Sequence, residues 1–272
     1  MSTAQQIRPA PFDSVAPCYD DMFTSSKIGK AQRESVWREL ARVFHGGDRV
    51  LEIGCGTGVD ACFLAERAVR VVACDSSPQM IDVATRRVYE NELQQLVQPT
   101  LLRAEDIATL PADSLFDGAF SNFGAINCIE DEDLKSFSRI LYERLKPGAK
   151  LLLCVLNACC AWEIVWYLTR GQPRKAFRRT RSGNTARILG GTPVRVDYPT
   201  ARSLERTFGP EFRLKSLKGV GILVPPSYLE GFAIRFPRLL RLAIQADSKF
   251  KGCAVLCELG DHILLEFERR PA

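Results

Sequence analysis

The stretch Val50-Leu-Glu52-Ile-Gly54-Cys-Gly56-Thr-Gly58 constrains this chain more than any other. A short apolar run ending in alternate glycines is a buried strand entering a turn whose backbone approaches a ligand closely. Ala61, Phe63, Leu64 and Ala68 follow at helical spacing, so the free N–H groups of that helix point back at the turn. In a parallel sheet opened this way, ligands lie beyond the carboxyl ends of the strands, where the strand order reverses.

The pattern continues. Val71 to Cys74 reads as a second buried strand, and Met80, Ile81 and Ala84 start a helix after Ser77-Pro78. Strands follow at Leu101-Leu102 and Gly118 to Phe120; a helix over 134–145 is closed by Lys146-Pro147-Gly148, and Leu151 to Leu156 forms the fifth strand. Strands alternating with helices predict an α/β fold, a parallel sheet covered on both faces. Leu151 to Leu168 is nearly all apolar, but Asn157 and Glu163 interrupt it, and it reads as a strand running into a helix rather than a membrane span. Beyond residue 156 the alternation loosens. A helix bearing Trp162, Trp166 and Tyr167 leads into a basic run, a helix follows over 199–208, a strand over 212–217, and a last, antiparallel strand over His262–Glu268. We therefore expect one domain: N-terminal helices in 1–45, a cofactor core in 46–156, helical lid insertions at 157–198 and 221–259, and the rest of the core in 199–220 and 260–272.

Composition narrows the class. With 272 residues, 46% apolar and 25% charged, the chain has the content of a globular protein with a full core, not of a disordered or collagenous one. Its ten cysteines include no C-x-x-C pair and stand apart in sequence from the two histidines, so no metal site is expected. Reduced thiols in the cytoplasm fit best. The polar start Met1–Gln6 lacks a signal-peptide pattern. Residues 1–156 hold 17 Lys+Arg against 22 Asp+Glu, whereas residues 157–272 hold 20 against 10. The second part therefore suits an anionic ligand or surface.

Asp75 ends the second strand, where an acidic residue accepts the hydroxyls of a ribose, so an adenosine ligand is implied. Gly56-Thr-Gly58-Val-Asp-Ala61 also satisfies the dinucleotide pattern, which leaves an NAD(P)-dependent oxidoreductase open at this point. Glu52 before the glycines, and their G-x-G-x-G spacing, instead resemble the first motif of class I S-adenosylmethionine (SAM)-dependent methyltransferases. Four further segments are similar to that family: Arg103-Ala-Glu-Asp106-Ile107 with Leu110-Pro111 to its adenine segment, Phe116 to Asn122 to its fourth strand, Leu145 to Gly148 to the turn before its fifth, and Phe12 to Asp20 to the N-terminal approach of the ubiquinone/menaquinone branch.

The resemblance implies a Rossmann-like, seven-stranded, mostly parallel sheet with an antiparallel last strand. It implies SAM as methyl donor and S-adenosylhomocysteine (SAH) as product. By the same pattern Asp75 holds the ribose, Ser76 and Met80 flank the adenosine, Asp106 and the Ile107 N–H meet the adenine, Glu52 belongs to the first motif, Gly54, Gly56 and Gly58 close on the methionyl part, Asn122 offers its backbone carbonyl to the ammonium, and Tyr19 covers the cofactor. A SAM-binding partner or sensor without activity is the remaining alternative.

Methyl transfer from a sulfonium needs alignment and exclusion of water, and a base only for a protonated acceptor. His262 beside Asp261 is the candidate base, with Asn127, Glu163 and Tyr228 as further pocket candidates; His45, before the first strand, is structural. The insertions leave from the cofactor side, and their tryptophans beside a basic rim predict a small or amphiphilic, lipid-like acceptor. Six Lys/Arg between Arg170 and Arg181, and Arg235, Arg238 and Arg241 at spacing three, suit a phosphate head group or peripheral contact with an anionic membrane, with a solvated face on an ordinary lid as the alternative. No nucleic-acid-binding module is evident, and nucleic acid is not the expected partner.

Overall fold

A computed structural model describes residues 10, 12–111, 115–181, 183–187 and 193–271; the polar start Met1–Gln6 lies outside them. A short π-helical turn, Asp20–Thr24, precedes α1 (Lys27–Val43). The alternating core follows: β1 (Arg49–Ile53), α2 (Val59–Ala65), β2 (Arg70–Asp75), α3 (Pro78–Glu90), β3 (Val97–Leu101), β4 (Phe116–Ser121), α4 (Asp131–Arg144) and β5 (Leu145–Leu156). The first insertion holds α5 (Ala161–Leu168), α6 (Pro173–Ala176), β6 (Asn184–Arg187) and β7 (Pro193–Val196). Then come α7 (Ala201–Phe208), β8 (Phe212–Val220), α8 (Glu230–Arg235), α9 (Pro237–Phe250), α10 (Ala254–Cys257) and β9 (His262–Arg269).

The main sheet has seven strands in the order β3-β2-β1-β4-β5-β9-β8, with β9 antiparallel to both of its neighbours and every other pairing parallel. The order reverses between β1 and β4, which places a crevice beyond the ends of these two strands. Side chains alternate between two cores, as the pleat requires. Leu51, Ile53, Leu151 and Leu153 pack with Leu141 of α4 and Phe208 of α7, while Val50, Val71, Phe120 and Leu152 pack with Leu40, Leu64 and Val88 of α1 to α3. Both faces are thus buried, which is why the strands read as continuous apolar runs.

Local chemistry sets the helix starts. Ser26 accepts from the Gly29 N–H to cap α1, and Ser77 accepts from Met80 N–H to cap α3 with Pro78 in its first turn. Two expectations need correction. Lys146-Pro147-Gly148 is not a turn ahead of the fifth strand. β5 starts at Leu145, pairs Phe116 with Leu145, and carries the three residues through a register shift before pairing Gly118 with Lys150. The first insertion is also not purely helical, because Asn184–Arg187 and Pro193–Val196 pair as an antiparallel hairpin, with Val194 and Val196 alternating inward. Leu151 to Leu168 divides between β5 and α5, and no helix among the described residues is long and apolar enough to cross a membrane.

Glu39 of α1 ties the N-terminal helix to the far edge of the sheet. It accepts from Arg42 at 2.8 Å, from Lys218 of β8 at 2.5 Å, and from Lys251, just past α9, at 2.8 Å. Burial alone would raise its pKa, but the hydrogen bonds from Lys218, Lys251 and Arg42 outweigh it and lower the carboxyl from 4.5 to about 2. The folded chain therefore stays ionised where the unfolded chain takes up a proton, so this contribution is complete above about pH 4.5 and is lost as pH falls toward about 2. Glu39→Gln is expected to cost about 2 kcal/mol in urea unfolding at neutral pH, with the gap to the native sequence closing through that acid window.

Candidate active site

The turn after β1 is held from behind by β2. Gly54 and Cys55 N–H both donate to the Cys74 carbonyl, at 2.8 and 2.9 Å. Gly56 N–H donates to Asp75 Oδ2 at 2.8 Å, while Asp75 Oδ1 accepts from Ser77 N–H at 2.9 Å. One carboxylate thus fixes the glycine turn and the entry to α3. Burial raises the Asp75 pKa against the pull of these N–H groups. Two glycines are required by the backbone itself. Gly54 has φ +71° and stands where a Cβ would come within 2.2 Å of Ala125 Cβ; Gly56 has φ +52° and no atom within 4 Å of where its Cβ would stand.

These residues border a cavity of about 370 Å³ at the carboxyl ends of β1, β2 and β4. Tyr19, Gly54, Gly56, Asp75, Ser76, Met80, Ile107 and Asn122 all line it. Tyr19 and Met80 also share a small apolar cluster with Val15 and Ala16, so the N-terminal approach is packed against the start of α3. The π-helical turn is fastened to the glycine turn as well: Asp20 accepts from Thr57 Oγ1 at 2.8 Å and pairs with Arg87, whose Nε donates to the Thr57 carbonyl at 2.8 Å.

Three of the residues assigned from sequence stand elsewhere. Gly58 caps α2 with φ +76° and faces Ala84 of α3. Asp106 is exposed on the 3-10 turn Ala104–Thr109, which turns Ile107 inward; the wall after β3 is made by Leu102, Arg103, Ala104, Glu105 and Ile107, on either side of Asp106. Glu52 is 1% exposed and lies behind the turn, not on the wall, with Oε2 unpartnered. Burial, with the charges of Asp60 and Asp75, pushes its pKa well above the usual carboxyl range, so the neutral form is favoured there.

Behind the cavity is a buried polar cluster that the sequence did not announce. Asp60 accepts from Arg33 Nη1 and Trp37 Nε1, both at 2.6 Å, and from Asn122 Nδ2 at 2.9 Å. Asp60 stands two residues past Gly58, inside a helix that reads as apolar, and Arg33 and Trp37 carry no motif at all. Asn122 Oδ1 is buried without a partner, a free acceptor on a residue that lines the cavity. Phe123 and Gly124, both at positive φ, turn the chain sharply after β4. That places the Phe123 ring on the cavity wall, edge-on to His262 at 5.3 Å and beneath the Arg33 guanidinium at 5.0 Å.

None of the candidate bases lines the cavity. His262 is buried beside Phe123 with Nδ1 3.4 Å from Asp261 Oδ2, and burial lowers its pKa despite Asp261, so the imidazole is neutral. Asp261 accepts from Arg179 at 2.7 Å and from Gln32 at 3.1 Å. Glu163 is held by Arg178 and Arg179, with contacts from 2.6 to 3.1 Å. Asn127 donates to the Leu156 and Asp197 carbonyls and accepts from Leu156 N–H, so all its groups are engaged in joining β5 to the hairpin. Tyr228 is exposed, with its ring 6.4 Å from that of Tyr167. Of the six basic residues between Arg170 and Arg181, Arg179 is therefore buried inside the lid, and Arg178 is paired with Glu163 while its side chain stays exposed.

The far wall is the hairpin, through Pro193, Val194 and Arg195, facing Phe12, Phe123, Cys128 and Ile129. The donor set fits an adenosyl ligand: a buried carboxylate at the end of β2, an open glycine turn, a free amide oxygen, and apolar walls on either side.

Comparison with known proteins agrees with the geometry. A model of the methyltransferase domain matches residues 50–148. The chain is 32% identical to a demethylmenaquinone methyltransferase of Clavibacter sepedonicus over 53% of its own length, and spans 56% of that relative. It is 29% identical to the tRNA 5-carboxymethoxyuridine methyltransferase of Escherichia coli K12, over 72% of this chain and 83% of that one. In fold it is similar to the CcbJ methyltransferase of Streptomyces caelestis, with a TM-score of 0.64 at 16% identity, covering 97% of this chain and 99% of that one. Residues 50–148 are thus a methyltransferase domain by sequence, the fold around them is that of solved methyltransferases, and quinone methyltransferases are among the relatives of this chain, which spans little more than half of their length.

Proposed function

We propose that this protein transfers a methyl group from SAM to a small, amphiphilic acceptor, leaving SAH. The observation that carries the reading is the single cavity wall that runs from the Asp75 carboxylate, past Asn122, to the apolar residues Phe12, Phe123, Ile129 and Val194. A polar end suited to an adenosyl ligand and an apolar end suited to a lipid-like molecule are thereby placed in one space. The dinucleotide pattern is the same glycine turn read for another ligand, and the family match favours SAM.

The cofactor supplies a sulfonium methyl that is electrophilic without further activation. In this reading Asp75, already oriented by Gly56 and Ser77, accepts the ribose hydroxyls. Tyr19 and Met80 flank the adenosine, and Ile107 with Ala104 borders the adenine. Asn122 is locked to Asp60 through its amide nitrogen, so its oxygen is presented in one orientation. Phe12, Phe123 and the hairpin exclude water around the acceptor, which raises the reactivity of an aligned nucleophile. None of His262, Asp261, Asn127, Glu163 and Tyr228 lines the cavity, so in this reading alignment carries the reaction, and the acceptor is one that arrives deprotonated or needs no base. An acceptor with a long apolar part is met at a bilayer, and peripheral contact with an anionic membrane belongs to this reading.

Calorimetric titration tests the cofactor. SAM and SAH are expected to bind, and Asp75→Ala to weaken both by about 1–3 kcal/mol; NADP binding in place of either would overturn the assignment. Gly56→Ala separates the site from the fold. Its Cβ meets no atom, so unfolding is expected to shift by only about 1 kcal/mol from the left-handed backbone, while SAH affinity drops about tenfold or more. For the acceptor, methyl-labelled SAM incubated with a whole-cell extract should leave label in the chloroform-soluble fraction. Label confined to RNA or to water-soluble metabolites would remove the amphiphilic part of the reading.

A further inference from the structure

The second insertion carries apolar side chains on both of its sides. Ala233, Leu240, Ala243 and Ile244 face inward and share a small core with Ile28 and Ala31 of α1 and with Trp162 and Trp166 of α5. On the outside, Ile234 is 57% exposed, Leu239 51% and Leu242 61%, joined by the exposed rings of Phe232 and Phe236. Phe232 meets Phe236 at 5.0 Å and Trp162 at 6.4 Å, so this surface adjoins α5, where Val165 is 59% exposed and Leu168 is also bare. A contiguous group of large exposed apolar side chains on three helices is unusual for a surface that meets only water.

The charges of the same helices are sorted. Every acid of α5, α8 and α9 is used inward: Glu163 holds Arg178 and Arg179, Glu230 accepts from the Lys27 and Ile28 N–H groups, and Asp247 accepts from Leu223 and Val224 N–H. The bases remain outside. Arg235, Arg238, Arg241 and Lys249 are exposed, as are Arg170, Arg174 and Lys175 beyond α5, and none of them pairs with an acid among the described residues. Along α9, Arg238 and Arg241 alternate with Leu239 and Leu242. Arg170 stacks on the Trp166 ring, its guanidinium carbon 3.3 Å from the centroid.

We propose that the outer faces of α5, α8 and α9 form a docking surface for an anionic lipid bilayer. Leucine, isoleucine and phenylalanine side chains enter the interface while the arginines meet lipid phosphates, as an amphipathic helix lying in the interface plane does. The apolar half of the pattern favours a bilayer among polyanions, because neutralising a phosphate backbone calls for basic side chains alone, whereas an interfacial helix also buries its apolar ones. The surface deepens the reading of an amphiphilic acceptor and rests on it for its purpose, but not for its test.

Vesicle flotation tests the surface. The full chain is expected to float with vesicles of phosphatidylcholine containing roughly one-third phosphatidylglycerol, and at least about tenfold less with phosphatidylcholine alone. Leu239→Asp/Leu242→Asp and Arg238→Gln/Arg241→Gln should each reduce flotation by about tenfold or more, the second in step with added salt. SAH titration of each variant keeps folding and the cofactor site in view: retained SAH binding with lost flotation is the expected result. Equal flotation with both vesicle types, no flotation of the parent chain, or unchanged flotation of both variants overturns the surface while leaving methyl transfer intact. Tight binding of RNA without vesicle binding, or a dimer in sedimentation that the Leu239→Asp/Leu242→Asp variant dissociates, overturns it in favour of another occupant. Vesicle binding by a chain that takes up neither SAM nor SAH would keep the surface and sink the methyltransferase reading.

Discussion

Two oxygens of one carboxylate organise the ligand end of this molecule. Asp75 holds the Gly56 N–H with one and the Ser77 N–H with the other, so the turn that leaves β1 and the turn that leaves β2 share a single anchor. Neither turn has enough intrinsic stability to keep its shape: three residues of the first lie at positive φ, and the second is a bend followed by Pro78. Once the anchor is made, the remaining lone pairs of the carboxylate face the cavity, and the first turns of α2 and α3 are aligned with it. The residue that shapes the loop also lines the cavity.

A second constraint governs the lid. Arg179 is buried, and a buried guanidinium without partners is strongly unfavourable. It satisfies itself on Glu163 from the helix before it and on Asp261 from the start of β9, and donates as well to the Asp261 carbonyl at 2.9 Å. Gln32 of α1 completes Asp261. The cluster links the first insertion, the N-terminal helix and the sheet, and leaves none of its carboxylates as a free base. The catalytic candidates were thus absorbed by structure because two of them were needed to neutralise one arginine.

Much of the fold was legible because its strands are buried on both faces and punctuated by glycine and proline. Val50 to Ile53, Val71 to Cys74 and Leu151 to Leu156 could hardly be other than core strands. The hairpin of the first insertion was not, since Asn184–Arg187 and Pro193–Val196 are short and half polar, and only their mutual pairing makes them strands. In the site, Gly54, Gly56 and Asp75, whose places the backbone itself constrains, line the cavity, whereas Asp106 stands exposed on the 3-10 turn Ala104–Thr109, whose shape a count from Pro111 does not carry. Arg33, Trp37 and Asp60 were invisible because polar clusters assembled from separate helices leave no periodic trace. The basic run between Arg170 and Arg181 was read as a rim, whereas buried Glu163 and Asp261 draw Arg179 inside and hold Arg178 at the edge.

The hydrogen bonds around β5 and β9 have a consequence for how such proteins diversify. Asn157 donates to the Glu258 carbonyl, Ala161 N–H to that of Leu259, and Trp162 Nε1 to that of Leu223, so the two insertions are stitched to each other at several points. Segments some sixty residues apart in the chain are in effect one interchangeable part. A chimera that borrows one insertion from a relative inherits broken stitches and an orphaned charge, while one that borrows both together with the residue at 261 inherits a finished lid. Substrate range on this scaffold is therefore expected to change by exchange of matched pairs rather than by drift of either piece alone.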